Sequence, residues 1–173
     1  MRPLTHALVL TVPLIISGGL HMMVVKLDWL RALKIPIHGA VFGSNKTWRG
    51  VLVMALTAAL GVWLTSLVWP DAFGPWNPFV LGTLLGLAYA LAELPNSYVK
   101  RRLGIAPGKR PARNHAWFAL ADQADSAIGC AMVYAWALRL SAMTILVLIA
   151  LGPAIHLVVN YSLYRMRLRK EPI

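Results

Sequence analysis

Five apolar runs, residues 4–25, 51–69, 79–99, 117–138 and 142–164, take up most of this 173-residue chain. Each is close to the roughly 20 residues that a helix needs to cross the hydrocarbon core of a bilayer. A segment in that medium must satisfy its own backbone hydrogen bonds, which leaves the helix as the spanning form for runs of this length. The predicted fold is therefore an all-α integral membrane protein, a bundle of five transmembrane helices forming a single membrane domain over residues 1–173. With 58% hydrophobic and only 13% charged residues, the composition excludes an ordinary soluble domain of this size. The first run lacks the short apolar core and small-residue cleavage site of a signal peptide and reads as a permanent helix. Pro13 and Gly18-Gly19 interrupt it, breaks that are tolerated where neighbouring helices cover the backbone.

The formal charge is +11, and the basic residues lie between or after the apolar runs. That is the pattern of cytoplasmic membrane loops; no nucleic-acid-binding fold can be placed on these segments, so no nucleic-acid partner is expected. Five spans put the termini on opposite sides. Of the 17 Lys and Arg, all but Arg2 and Arg139 fall on the side of the C-terminus. The expected orientation is N-terminus outside and C-terminus in the cytoplasm, in a multi-pass protein of the plasma membrane. The single cysteine, Cys130, excludes a disulfide framework within one chain and reads as a packing residue.

Three of the six acidic residues, Glu93, Asp122 and Asp125, sit inside or at the end of apolar runs. A carboxylate at the bilayer centre opposes insertion by about 2.5–3.5 kcal/mol, so these three are expected near the membrane surface, facing a polar cavity and holding something cationic. Pro95 is expected to kink the third segment or end it near Glu93. If the helix continues, Glu93, Asn96, Ser97 and Lys100 share one face. Asp122, Asp125 and Ser126 repeat that spacing, with Gly129 one turn further along. A helix dipole accounts for one Asp near an N-terminus, but not for a second Asp deeper in an apolar helix, which points to metal or substrate ligation. The basic loop Gly43-Ser-Asn-Lys-Thr-Trp-Arg-Gly50 leads into the second span; it can grip a phosphate through Lys46, Thr47, Arg49 and the helix start, or merely anchor the chain with Trp48 at the interface. It is not a Walker A loop, since its spacing differs and no strand precedes it. Arg101, Arg102, Lys109, Arg110 and Arg113 make the connector before the fourth span a basic cytoplasmic loop. His156 and Asn160 share a face of the last span, where the lone His reads as a packing residue, and His6, His21, His38 and His115 form no ligand cluster.

Three blocks, Gly43 to Gly50, Glu93-Leu-Pro-Asn-Ser-Tyr-Val-Lys-Arg-Arg-Leu-Gly-Ile-Ala-Pro-Gly108 and Asp122-Gln-Ala-Asp-Ser126, resemble those of the CDP-archaeol synthase family, relatives of phosphatidate cytidylyltransferase. The larger cytidylyltransferases have Arg where Gln123 stands, and their Pro-Gly-His-Gly-Gly segment has no counterpart around Asn114-His115, which makes the smaller family the nearer relative. The resemblance implies transfer of a cytidylyl group from CTP to a lipid phosphate, archaetidic acid-like or phosphatidate-like, with release of pyrophosphate and a requirement for Mg²⁺. By the same resemblance Asp122 and Asp125, with Glu93, are the metal ligands, and Lys100 joins the two aspartates as a catalytic residue. Lys46, Thr47, Arg49, Asn96, Ser97, Arg101 and Ser126 are the substrate-binding residues. The implied partners are CTP, a membrane lipid phosphate and the bilayer, and a homodimer is compatible with this reading. The rival reading is a non-enzymatic transporter or lipid-binding scaffold, which calls for polar groups spread through the bilayer depth.

Overall fold

The computed structural model describes residues 2–109 and 115–167. Arg110 and Arg113 of the connector, and Arg169 and Lys170 of the basic tail, lie outside the described residues, as do the side chains of His115 and His156. The predicted segments are helices whose ends move by at most three residues: α1 (Pro3–Lys26), α3 (Trp48–Val68), α4 (Pro78–Arg102), α5 (His115–Leu138) and α6 (Ala142–Arg165), with a short α2 (Gly39–Phe42) in the first long loop. Among the described residues there is no β-strand; an isolated antiparallel bridge pairs Pro36 with Thr47. Helices α1, α3, α4 and α6 are long and apolar enough to cross a membrane. α5 equals α1 and α6 in length at 24 residues, but Asp122, Gln123 and Asp125 lower the hydropathy of its first half.

Local chemistry sets the boundaries. The Thr47 hydroxyl accepts from the Gly50 N–H at 3.2 Å and starts α3, and Asn77 Oδ1 accepts from Phe79 and Val80 ahead of α4, whose first residue is Pro78. These are the side-chain cap and leading proline that satisfy or remove otherwise unpaired N–H groups. Of the two outcomes expected of Pro95, a kink or an end near Glu93, the second does not occur. α4 does not end near Glu93 but runs through Pro95 to Arg102. Proline deletes one hydrogen bond and crowds one carbonyl, a local cost that packing of α4 against both α3 and α5 outweighs.

Each long helix packs against two others, in the cyclic order α1, α3, α4, α5, α6 and back to α1. The closest seam is between α3 and α4. A Cβ on Gly86 would stand 2.2 Å from the Met54 carbonyl oxygen, and one on Gly82 2.4 Å from Ala59 Cα. Glycine at these positions, one turn apart, lets the two backbones touch. Gly86→Val is therefore expected to destabilise the protein by at least about 1–3 kcal/mol, the usual cost of overpacking, because the obstacle is backbone and cannot swing aside. Thermal unfolding in detergent checks this; a Tm equal to that of the parent would show that the seam can open without cost.

The core gathers at the end of the ring holding the start of α1 and the end of α5. Leu10, Phe73, Leu81, Leu85 and Tyr134 are buried there, and the Tyr134 hydroxyl donates to the Leu10 carbonyl at 2.9 Å. Leu8, Leu56, Leu67, Met132, Trp136 and Leu146 are exposed on the outer faces, an apolar belt suited to hydrocarbon.

Candidate active site

At the opposite end the ring opens into a cavity of about 780 Å³ that α1, α3, α4, α5, α6 and the loop before α3 all line. The residues given a metal-binding, catalytic or substrate-binding role from the sequence all border it: Lys46, Thr47 and Arg49; Glu93, Asn96, Ser97, Lys100 and Arg101; Asp122, Asp125 and Ser126. Because α4 is continuous, Glu93, Asn96, Ser97 and Lys100 form the stripe their spacing predicts. It faces the matching stripe of α5.

The centre of this arrangement is Asn96. Its Nδ2 donates to Asp122 Oδ1 at 2.6 Å and to Asp125 Oδ2 at 3.0 Å, so the two carboxylates converge on one point. Asp125 Oδ1 also accepts from the Ser126 N–H at 2.6 Å. The Lys100 ammonium pairs with Asp122 and lies 5.9 Å from the centre of the Phe118 ring; Lys46 pairs with Glu93. Among the described residues no three His, Cys, Asp or Glu side chains form a ready cluster for a metal ion. Two converging carboxylates nonetheless fit a hard cation that keeps open positions for water and phosphate oxygens, with Asn96 able to turn its amide oxygen inward. Glu93 stands apart from this pair, engaged by Lys46.

Arg101 is different in kind. Its Nε and Nη1 are buried and, among the described residues, have no hydrogen-bond partner. Gly43, at φ 94°, lets the preceding loop turn against it; a Cβ there would stand 3.4 Å from Arg101 Nη1 and 2.9 Å from Asn45 Oδ1. A positive φ and a crowded approach both favour glycine. Buried guanidinium donors are costly unless an anion meets them.

Arg49 borders the cavity, yet it is nearly buried and its Nη1 is committed elsewhere, donating to Asp28 Oδ1 at 2.7 Å and to the Trp29 carbonyl at 3.1 Å. Asp28 adopts a positive φ of 49° just after α1, a conformation that Asp tolerates better than most residues. The contact ties the loop after α1 to the first turn of α3, next to Lys46. The Arg49 hydrogen bond, reinforced by Lys34 and Arg31, holds the Asp28 carboxyl below its ordinary range. With a depressed folded value, the pair's contribution to stability is fully present above the unfolded value, about 3.9, and is lost as pH falls through the folded one. Asp28→Asn is expected to lower Tm at neutral pH and to flatten that acid dependence. An unchanged melting profile across the acid range would remove the tie from the account.

Two features escaped the sequence. Asp28 is a lone acid in a basic segment, and only that oddity marked it. His21 lines the cavity and lies close to Gly50, where a Cβ would be 3.9 Å from its Nε2; its place on the face shared by Gly18 and Val25 was the available signal. The buried hydroxyls of Thr11 and Thr65 donate to carbonyls of their own helices, so they do not extend the polar site through the bundle, as the transporter reading requires.

A ring of helices with an apolar belt and an ionic chamber at one end defines a multi-pass membrane protein. The CarS-like CDP-archaeol synthase family model matches residues 32–172, and the chain belongs to that family. It is 28% identical over 173 residues to the CDP-archaeol synthase of Pyrobaculum aerophilum, covering 98% of each chain. It is 30% identical to the CDP-archaeol synthase of Methanoregula boonei, over 76% of this chain and 81% of that one, and 32% identical to that of Halobacterium salinarum, over 76% of each. No solved structure matches the chain.

Proposed function

We propose that the chain is a CTP-dependent cytidylyltransferase that moves CMP from CTP to a membrane lipid phosphate, giving a CDP-lipid and pyrophosphate. The whole chain acts as one membrane unit of five spans, α5 included, with the chamber facing the cytoplasm of a plasma-membrane protein. The observation that carries this reading is a single cavity in which two carboxylates converge on one point while Arg101 presents two buried donors that are unpaired among the described residues. The first suits a cation, the second a phosphate, and a metal-bound polyphosphate brings both. The names of the relatives support the same chemistry, and the positive-inside asymmetry supports the orientation.

In this reading an anionic oxygen of the lipid phosphate attacks the α-phosphorus of CTP, a new P–O bond forms, and the bond to the β-phosphate oxygen breaks to release pyrophosphate. The nucleophile is already ionised, so no general base is needed. Asp122 and Asp125 would hold Mg²⁺, which when bound supplies positive charge to the phosphate oxygens. Glu93 holds Lys46 toward the chamber, and Asn96 fixes the two aspartates relative to each other. Lys100, paired with Asp122 in this structure, would neutralise charge that develops on the transferring phosphoryl group. Arg101 meets the departing pyrophosphate with its buried Nε and Nη1 donors. Thr47, Ser97 and Ser126 supply hydroxyls to the substrates, while Arg49 keeps Lys46 in register.

The test is one assay: purified protein, labelled CTP and Mg²⁺, with phosphatidate and an archaetidic acid as acceptors. Label appearing in a CDP-lipid, dependent on both Mg²⁺ and acceptor, is the expected result. No transfer to either acceptor, or transfer without the lipid, would overturn the reading.

A further inference from the structure

The cavity is longer than its ionic chamber. On α1 it is bordered by Thr11, Leu14, Ile15, Gly18, His21, Met22 and Val25, a single helical face by their spacing. From Val25 to Thr11 this face follows about 21 Å of helix axis at 1.5 Å per residue, more than the roughly 15 Å depth of one leaflet's hydrocarbon. α6, which packs against α1, contributes Gly152, Ile155, Val159, Asn160 and Leu163. Among the described residues the walls are apolar away from the chamber apart from the Thr11 hydroxyl, which is turned to the Leu8 carbonyl at 2.7 Å, and Asn160 stands nearer the chamber end of α6. A nucleotide has nothing to place against such walls. At the chamber end α1 and α6 are tied by Lys26 Nζ donating to the Arg167 carbonyl at 2.6 Å.

Gly18 stands midway along this extension. A Cβ built on it meets nothing within 4 Å, in contrast to Gly61, Gly82, Gly86 and Gly129, whose missing side chains let backbones touch. Its glycine is therefore not required by helix packing; it leaves the passage wide. We infer that the α1–α6 extension of the cavity seats the hydrocarbon of the lipid phosphate acceptor, and that Gly18 sets how bulky a chain can pass. This rests on the proposed transfer reaction: one cavity joins an ionic end to an apolar end within membrane-length helices, which matches an amphiphile whose phosphate reacts while its chains stay among apolar side chains. Lys26 and Arg167 tie α1 to α6 at the basic end, and the chains enter from the bilayer side.

Gly18→Leu in the full chain is the test, with Gly19→Leu as control, since Gly19 has equal room around it but does not border the cavity. CMP transfer is measured at varied dioctanoyl phosphatidate, dioleoyl phosphatidate and an archaetidic acid, and separately at varied CTP. Gly18→Leu is expected to lower kcat/KM about tenfold or more for the two bulky acceptors and far less for the dioctanoyl lipid, with KM for CTP unchanged and Gly19→Leu like the parent. Val159→Phe, which narrows the passage from the α6 side, is expected to do the same and keeps the test decisive if Gly18→Leu does not fold. Equal losses for all three acceptors, unchanged kinetics, or an effect confined to CTP would overturn the inference while leaving the reaction in place. Failure of the parent protein to transfer CMP to any acceptor would overturn the reaction itself, and the inference with it.

Discussion

Asp122→Asn and Asp125→Asn are each expected to lower CMP transfer by at least about 10²-fold while leaving a folded membrane protein. Each change removes one negative charge from a pair that converges on Asn96 Nδ2 at 2.6 and 3.0 Å. The loss of a cation ligand withdraws several kcal/mol of charge stabilisation at the phosphoryl group, and each 1.36 kcal/mol is a factor of ten in rate. The amide is nearly the same size as the carboxyl it replaces, so packing changes little. The two variants should differ in one respect. Asp122 also pairs with Lys100, so Asp122→Asn frees that ammonium, whereas Asp125→Asn leaves the ion pair intact. Raising the Mg²⁺ concentration should therefore restore part of the activity of either variant if the residues are ligands. Activity within a factor of a few of the parent in both would remove the metal assignment, and loss that no Mg²⁺ concentration relieves, in a protein with an unchanged Tm, would point to a purely positioning role through Asn96.

The second large effect is expected at the basic groups, and it separates phosphate contacts from anchors. Arg101→Lys keeps the charge but removes the planar fork that presents two donors together. Hydrogen bonds to charged groups contribute about 1.5–3 kcal/mol, so kcat/KM should fall by about 10- to 100-fold for at least one substrate. Lys46→Ala should also be costly, but its partner complicates the single variant, because Glu93 is left without its ammonium. The double variant Lys46→Ala/Glu93→Gln resolves this: if Lys46 serves only to neutralise Glu93, the double variant recovers, and if Lys46 grips phosphate it does not. Neutralising Arg167 and Arg169 in the tail should leave catalysis nearly intact. The Arg167 side chain is exposed, and the contact it makes to Lys26 is through its backbone carbonyl, which substitution preserves. A juxtamembrane charge attracts anionic lipid by about 1 kcal/mol wherever it sits; equal, small and additive losses from tail and loop variants would make the loops anchors and withdraw the phosphate contacts.

Much of this molecule was readable from the chain alone, for a definite reason. Hydrocarbon leaves a polypeptide few options, so apolar runs of 19 to 23 residues mark where α1, α3, α4 and α6, helices of 21 to 25 residues, lie, and a few capping residues fix their ends. Helical periodicity likewise placed Glu93, Asn96, Ser97 and Lys100 on one face, and Asp122 and Asp125 on another, because 3.6 residues per turn is a local property. What periodicity cannot state is which helix a face meets. That Asn96 bridges Asp122 and Asp125, that Lys46 is held by Glu93, and that Arg49 turns to Asp28 instead of standing free are consequences of the cyclic order of the helices, set by the glycine seam between α3 and α4 and by contacts between residues far apart in sequence. The same holds for Pro95. Its local cost is legible, but whether the helix survives depends on packing from α3 and α5. Gly18 shows the division most plainly: in sequence it is an interruption of an apolar helix, and only the space around it in the folded ring distinguishes a weak point from a passage.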